Sequence, residues 1–141
     1  MAEHNSKNKY EHGLSRNAAN FTPLTPLSFI QRTSRVFPEH TAVIHGEIKR
    51  SWHETYQRCI KLAAALNRRG IGKDDTVAMM LPNVPAALEA HFGVPMCGAV
   101  LNALNIRLDA KTIAFILDHG EAKVLLTDRE FSLIIKEALS M

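Results

Sequence analysis

Cysteine is scarce in this chain of 141 residues: there are two, Cys59 and Cys97, far apart and each in an apolar helical context. With no CxxC pair and no apolar h-region at the amino-terminal end, a disulfide framework is not expected. Both thiols read as small buried hydrophobes, and the expected location is cytoplasmic. Long hydrophobic runs are also missing. No uninterrupted apolar stretch reaches the ~18 residues that a membrane helix needs. Excess charge is modest, a formal +3, and the Lys and Arg residues are scattered rather than gathered into a patch, which argues against nucleic acid as a partner.

Catalytic signatures are absent as well. There is no GxSxG elbow and no GxxxxGK[ST] loop, and the seven histidines show neither HxH nor HExxH spacing. His91 and His119 are the two expected to be partly buried. Gly70-Ile71-Gly72 does not qualify as a dinucleotide fingerprint. It follows a helix instead of opening one, and Asp75 stands where the third glycine belongs. Asp74-Asp75 reads as turn chemistry rather than a carboxylate pair.

What is present is an alternation of apolar runs with helical segments. Residues 1–20 are polar and aperiodic, and read as a tail. Thr25 with Pro26 starts a helix whose Leu27, Ile30, Ser34 and Phe37 share a face and which Pro38 ends. Ala42–Ile44 and Ile48–Trp52 form a β-hairpin about His45-Gly46-Glu47. Ser51 and Glu54 make a capping box for a helix that turns Tyr56, Cys59, Ile60, Ala63 and Leu66 inward, with Gly70 as its stop. Then three apolar runs, starting at Thr76, Ala99 and Lys123, recur at intervals of 23 and 24 residues with helices between. The helix from Pro85 is expected to bury Ala87, Leu88, Phe92 and Met96, with a kink at Pro95. The next buries Ile113, Ile116 and Leu117, and the last Phe131, Ile134, Ile135 and Leu139. The fold class is therefore α/β: a partial doubly wound, mainly parallel sheet, βαβαβα over Thr76–Leu139, preceded by a helix, a hairpin and a capped helix.

These residues, in this order, resemble the amino-terminal region of the adenylate-forming (AMP-binding) acyl-CoA synthetases. The resemblance is carried by Thr76–Asn83 (TVAMMLPN), Gly98-Ala99-Val100-Leu101-Asn102, Arg107-Leu108, the Ile113–Gly120 helix and Lys123–Thr127. Trp52–Tyr56 adds to it, and Pro23–Phe29 narrows it toward short- and medium-chain fatty acid and methylmercaptopropionate-type ligases. It covers Phe21–Met141 and departs at Ile106, where the family carries Thr.

The resemblance implies activation of a fatty or other small carboxylic acid by ATP and magnesium to an acyl-adenylate, followed by capture by coenzyme A. Such chemistry needs a hydroxyl- and glycine-rich phosphate loop, a carboxylate for the metal and a lysine. In the family these lie beyond the matched segment. Residues 21–141 are thus expected to be the incomplete amino-terminal part of a synthetase domain, inactive alone, with an exposed sheet edge or apolar face. No catalytic, cofactor-binding or metal-ligating residue is assigned, and a homodimer is left open. The alternative is a stand-alone, non-enzymatic α/β interaction module.

Overall fold

The computed structural model describes Gly13 and residues 15–141. The expected tail lies largely outside the described residues, as do His4 and His12. Its described part, 15–20, is exposed and turns through hydrogen bonds among Ser15, Asn17 and Asn20.

The first helix, α1 (Pro26–Val36), begins as its sequence dictates. Thr25 Oγ1 accepts from the Ser28 amide at 3.3 Å, while Ser28 Oγ accepts from the Thr25 amide at 3.2 Å. Ile30 and Ser34 form its buried face, but Phe37 has left the helix as its C-cap and is exposed. Strands β1 (Thr41–His45) and β2 (Ile48–Ser51) pair antiparallel, with His45 opposite Ile48, so the connecting loop is only Gly46-Glu47. Gly46 takes φ +54°, a backbone that only glycine adopts without strain and that suits a two-residue hairpin. In α2 (Trp52–Asn67) the capping box forms, with 3.2 Å from the Glu54 amide to Ser51 Oγ and 2.8 Å from the Ser51 amide to Glu54.

The inward face of α2 differs from expectation at two positions. Cys59, Ala63 and Leu66 are buried, but Ile60 is exposed, Tyr56 only half-buried, and Thr55 takes the core position. Thr55 can be buried because its hydroxyl donates to the Ser51 carbonyl at 2.8 Å and leaves no polar group unsatisfied. Gly70 stops the helix with φ +79°.

The main sheet has three parallel strands, β3 (Thr76–Met80), β4 (Val100–Ala103) and β5 (Ala122–Thr127), in the order β4-β3-β5. Helix α3 (Pro85–Met96) carries the chain from β3 to β4, and α4 (Ala110–His119) carries it back across β3 to β5. Right-handed crossovers in opposite directions put their helices on opposite faces, and the side chains agree. Val77 and Met79 point to α2 and α3, and Ala78 and Met80 to α4 and the last helix, α5 (Ser132–Leu139). Strand β3, covered on both faces and paired on both edges, is an uninterrupted run of buried residues from Val77 to Met80.

Strand β5 carries a bulge. Thr76 faces Ala122 and Val77 faces Val124, leaving Lys123 as the extra residue. The bulge turns Lys123 onto Asp75, with which it forms an ion pair.

Two further inward faces need correction. In α3 the buried residues are Pro85, Ala87, Glu89, Ala90, Gly93 and Val94, whereas Leu88 is exposed and Phe92 and Met96 are half-buried. Because α3 is apolar nearly all round, periodicity cannot choose its face. In α5, Ile135 and Ala138 are buried, Phe131 and Ile134 pack partly against them, and Leu139 is 68% exposed. The small Ala138 fills the face that Leu139 was expected to occupy.

Candidate functional site

Open α/β sheets bind ligands at the carboxyl edges of their strands, where the winding reverses. Here that edge lies beyond β3 and β5, and α3 starts from it. Pro82-Asn83 breaks the chain after β3, and Pro85 opens the helix, its missing N–H falling where no intrahelical partner exists.

Helix α3 carries the densest electrostatic feature of the fold. Glu89 sits on its buried side, and its Oε1 accepts from Arg58 Nε of α2 at 2.6 Å and from Arg50 Nη1 of β2. The Glu89 side chain is 9% exposed, and Arg58 remains close to half open to solvent. One carboxylate therefore ties the hairpin and α2 to α3. Its hydrogen bond holds the Arg58 guanidinium even more firmly protonated than usual, against the opposing effect of partial burial. Beside it, burial, reinforced by the Glu89 charge, pushes the Cys59 thiol up to about 11. A thiol so far from ionisation is a poor nucleophile.

Two cavities adjoin α3. One, of about 510 Å³, lies between the hairpin and the start of α3, against Ile44, Val84, Leu88, His91 and Phe92. The other, of about 350 Å³, opens at the carboxyl edge itself, against Leu81, Leu126, Arg58 and Lys61.

The two histidines expected to be partly buried are both exposed. His91 Nδ1 lies 2.8 Å from the Ala87 carbonyl one turn back, and His119 stacks on Phe115 with ring centroids 5.4 Å apart. Both are held by their own helices, and the structure brings neither to a second functional group. Asp75 accepts from the Gly72 amide at 2.8 Å, and Asp74 takes φ +68°, so the pair is turn chemistry as expected. The hydrogen bond from Lys123, followed by that from the Gly72 amide, holds the Asp75 carboxyl below its ordinary value, and Asp75 raises Lys123 in return.

Glu89 is the residue that sequence reasoning passed over. The signal was there: a lone carboxylate inside an otherwise apolar helix must either face water or find a cation.

The site does not fit a nucleotide triphosphate or its magnesium. Among the described residues no group of three or more His, Cys, Asp or Glu side chains could hold a metal ion. The loops that follow β3 and β4, Leu81–Val84 and Asn105–Asp109, contain no glycine and no serine or threonine to cradle phosphates, and β5 ends on Thr127-Asp128, whose carboxylate accepts from the Glu130 amide. Nor is any helix among the described residues long and apolar enough to cross a membrane.

A doubly wound sheet with this order of elements is the scaffold of adenylate-forming proteins, and the chain belongs to the AMP-binding enzyme family, whose model matches residues 30–140. Its relatives are acyl-CoA ligases. Acetate–CoA ligase CCL3 of Humulus lupulus is 52% identical over 128 residues, which are 91% of this chain and 22% of that protein. The peroxisomal benzoate–CoA ligase of Arabidopsis thaliana is 48% identical over 123 residues, 87% of this chain and 21% of that protein.

Among solved structures, the N-terminal domain of FACL13 from Mycobacterium tuberculosis superposes with a TM-score of 0.79 at 22% identity, covering 84% of this chain and 31% of that one. A benzoate–CoA ligase from Burkholderia xenovorans superposes with a TM-score of 0.79 at 19% identity, covering 84% of this chain and 24% of that one. At that identity the likeness shows the fold alone. The chain corresponds to the N-terminal portion of AMP-binding acyl-CoA ligases and spans about a fifth of the length of the relatives it matches, 22% for the Humulus protein.

Proposed function

We propose that residues 21–141 are the amino-terminal scaffold of an ATP-dependent acyl-CoA ligase acting on a small carboxylic acid, and that this stretch supplies no catalytic group of its own. The observation that carries the reading is the family match over 30–140, joined to loops after β3 and β4 that hold no glycine, serine or threonine. On this reading ATP, magnesium and coenzyme A are held by other parts of the synthetase. The carboxylic acid is of the size named for the relatives, acetate, butyrate or benzoate. What this stretch contributes is a rigid three-stranded platform and the face on which the remaining domain packs. Its exposed apolar side chains, Leu133 and Phe115 among them, suit that role better than they suit an independent module.

The test has two arms. The 141-residue chain alone, given ATP and each acid, releases no acid-dependent pyrophosphate; turnover by the pure chain would overturn the proposal. Residues 21–141, exchanged for the matched segment of the Humulus ligase, yield a chimera that forms acetyl-CoA, and an inactive chimera would count equally against it. We place the protein in the cytoplasm. Because several of the Arabidopsis relatives are named as peroxisomal, imaging of the tagged protein with a peroxisome marker is the check, and punctate co-localisation would refute that placement. A homodimer also belongs to this reading, and a single monomeric species on sedimentation at micromolar concentration would remove it.

A further inference from the structure

The cavity at the carboxyl edge has a divided character. Its floor is apolar, made of Leu62, Leu81 and Leu126, and its rim is cationic, made of Arg58 and Lys61. Glu89 also lines it, but that carboxylate is already engaged by Arg50 and Arg58. Arg58 is bound to Glu89 through Nε; among the described residues no hydrogen bond engages its terminal nitrogens, and no ion pair reaches Lys61. Positive charge therefore stands uncompensated over an apolar floor.

Its place in the winding says what lies next to it. Leu126 belongs to β5, whose outer edge has no partner among the described residues. Helices α4 and α5 pack together on one face of the sheet. The crossover through α4 runs from β4 across β3 to β5, so a right-handed crossover through α5, on the same face, continues outward. The next parallel strand would then lie against the free edge of β5 and end beside this cavity.

We propose that the cavity is a docking pocket for an acidic side chain flanked by apolar residues, supplied by the carboxyl-terminal remainder of the synthetase. The inference rests on the ligase reading above. The carboxylate is received by the free N–H groups of Arg58, which Glu89 orients from behind, and by the Lys61 ammonium. The flanking apolar residues cover the three leucines. A carboxylate held by two cations over an apolar floor, once the flanking residues cover it, forms stronger hydrogen bonds than it makes in water.

Lys61→Glu tests this in two proteins. In the 141-residue chain Lys61 has no ion pair to lose, and the melting midpoint stays within about 1 °C of the parent. In the chimera with the Humulus ligase the same change sets like charges against each other, and the midpoint falls by roughly 3 °C or more, with Lys61→Arg restoring it. Equal shifts in both proteins, or none in the chimera, overturn the pocket. A chimera that makes acetyl-CoA and is indifferent to Lys61→Glu fails the pocket and spares the ligase reading. A chimera that does not fold or ligate fails both.

Discussion

Glu89 shows how much a single side chain can organise. Removing it leaves Arg50 and Arg58 facing each other across a partly closed space without the anion that brought them together. Glu89→Ala is expected to destabilise the fold by about 2–3 kcal/mol, less than for a fully buried pair because Arg58 keeps access to water. Urea unfolding measures this, and a change under 0.5 kcal/mol would contradict the role given to Glu89. Cys59 makes a separate prediction. With its thiol fully buried and pushed up to about 11, it should resist an aromatic disulfide reagent at neutral pH until the chain unfolds, so that the native protein titrates at most Cys97. Two rapidly reacting thiols would refute that. Glu89 escaped sequence reading because its partners lie 39 and 31 residues away, beyond any local pattern. The histidines misled for the opposite reason: a place on a helix, mid-helix for His91 and at the end for His119, says nothing about which side of the helix is covered.

Among the elements, those specified by neighbouring residues were the legible ones. The Ser51–Glu54 box, the prolines at the starts of α1 and α3 and the Gly46 turn all depend on contacts within a few positions. Helix faces were legible only where polar residues marked the outside. In α3 nothing marked it, and its packing is set instead by Gly93. A Cβ there would meet Leu62 Cδ2 at 2.8 Å and the Cys59 carbonyl at 3.0 Å, so α2 and α3 approach through a glycine. Gly93→Ala should cost about 1–3 kcal/mol by forcing these helices apart, despite alanine's better helix propensity. A stabilised variant in thermal melts would show that the close approach is not needed.

The Asp75–Lys123 pair ties the turn before β3 to the bulge of β5, and its pH dependence follows from the signs of both shifts. Asp75 is depressed below its usual 3.8, so its contribution is present above that value and is lost as pH falls through the lower folded value. Asp109, depressed by the Thr112 amide at its helix cap, acts in the same direction. Lys123 is raised above 10.5, so its contribution is intact below that pH and disappears as pH climbs through the higher folded value. Asp75→Asn should therefore flatten both the acid and the alkaline limb of a midpoint-versus-pH curve. An unaltered curve would dismiss the pair.

For the whole molecule, the fold class was readable because alternating apolar runs and helices at a spacing near 24 residues admit few other arrangements. The order β4-β3-β5 was not readable, since three apolar runs in succession do not say which of them is central, and only the reversal of winding puts β3 in the middle. The exposed apolar surface predicts behaviour in solution. With Leu133 82% and Ile44 73% exposed, and both outer sheet edges open among the described residues, the isolated chain should bind a hydrophobic fluorescent dye and self-associate as concentration rises. A dye-silent monomer would favour the stand-alone module.

The central position of β3 also has a consequence for synthesis. Of the three strands it leaves the ribosome first, yet it holds the place that both others must reach. At ~5–20 residues per second, β3 waits a few seconds before Thr127 has been made and its second flank can close. During that interval the most apolar ribbon of the nascent polypeptide is paired on one side at best, so slow codons between Val100 and Ala122 should lengthen its exposure to chaperones and raise the misfolded fraction.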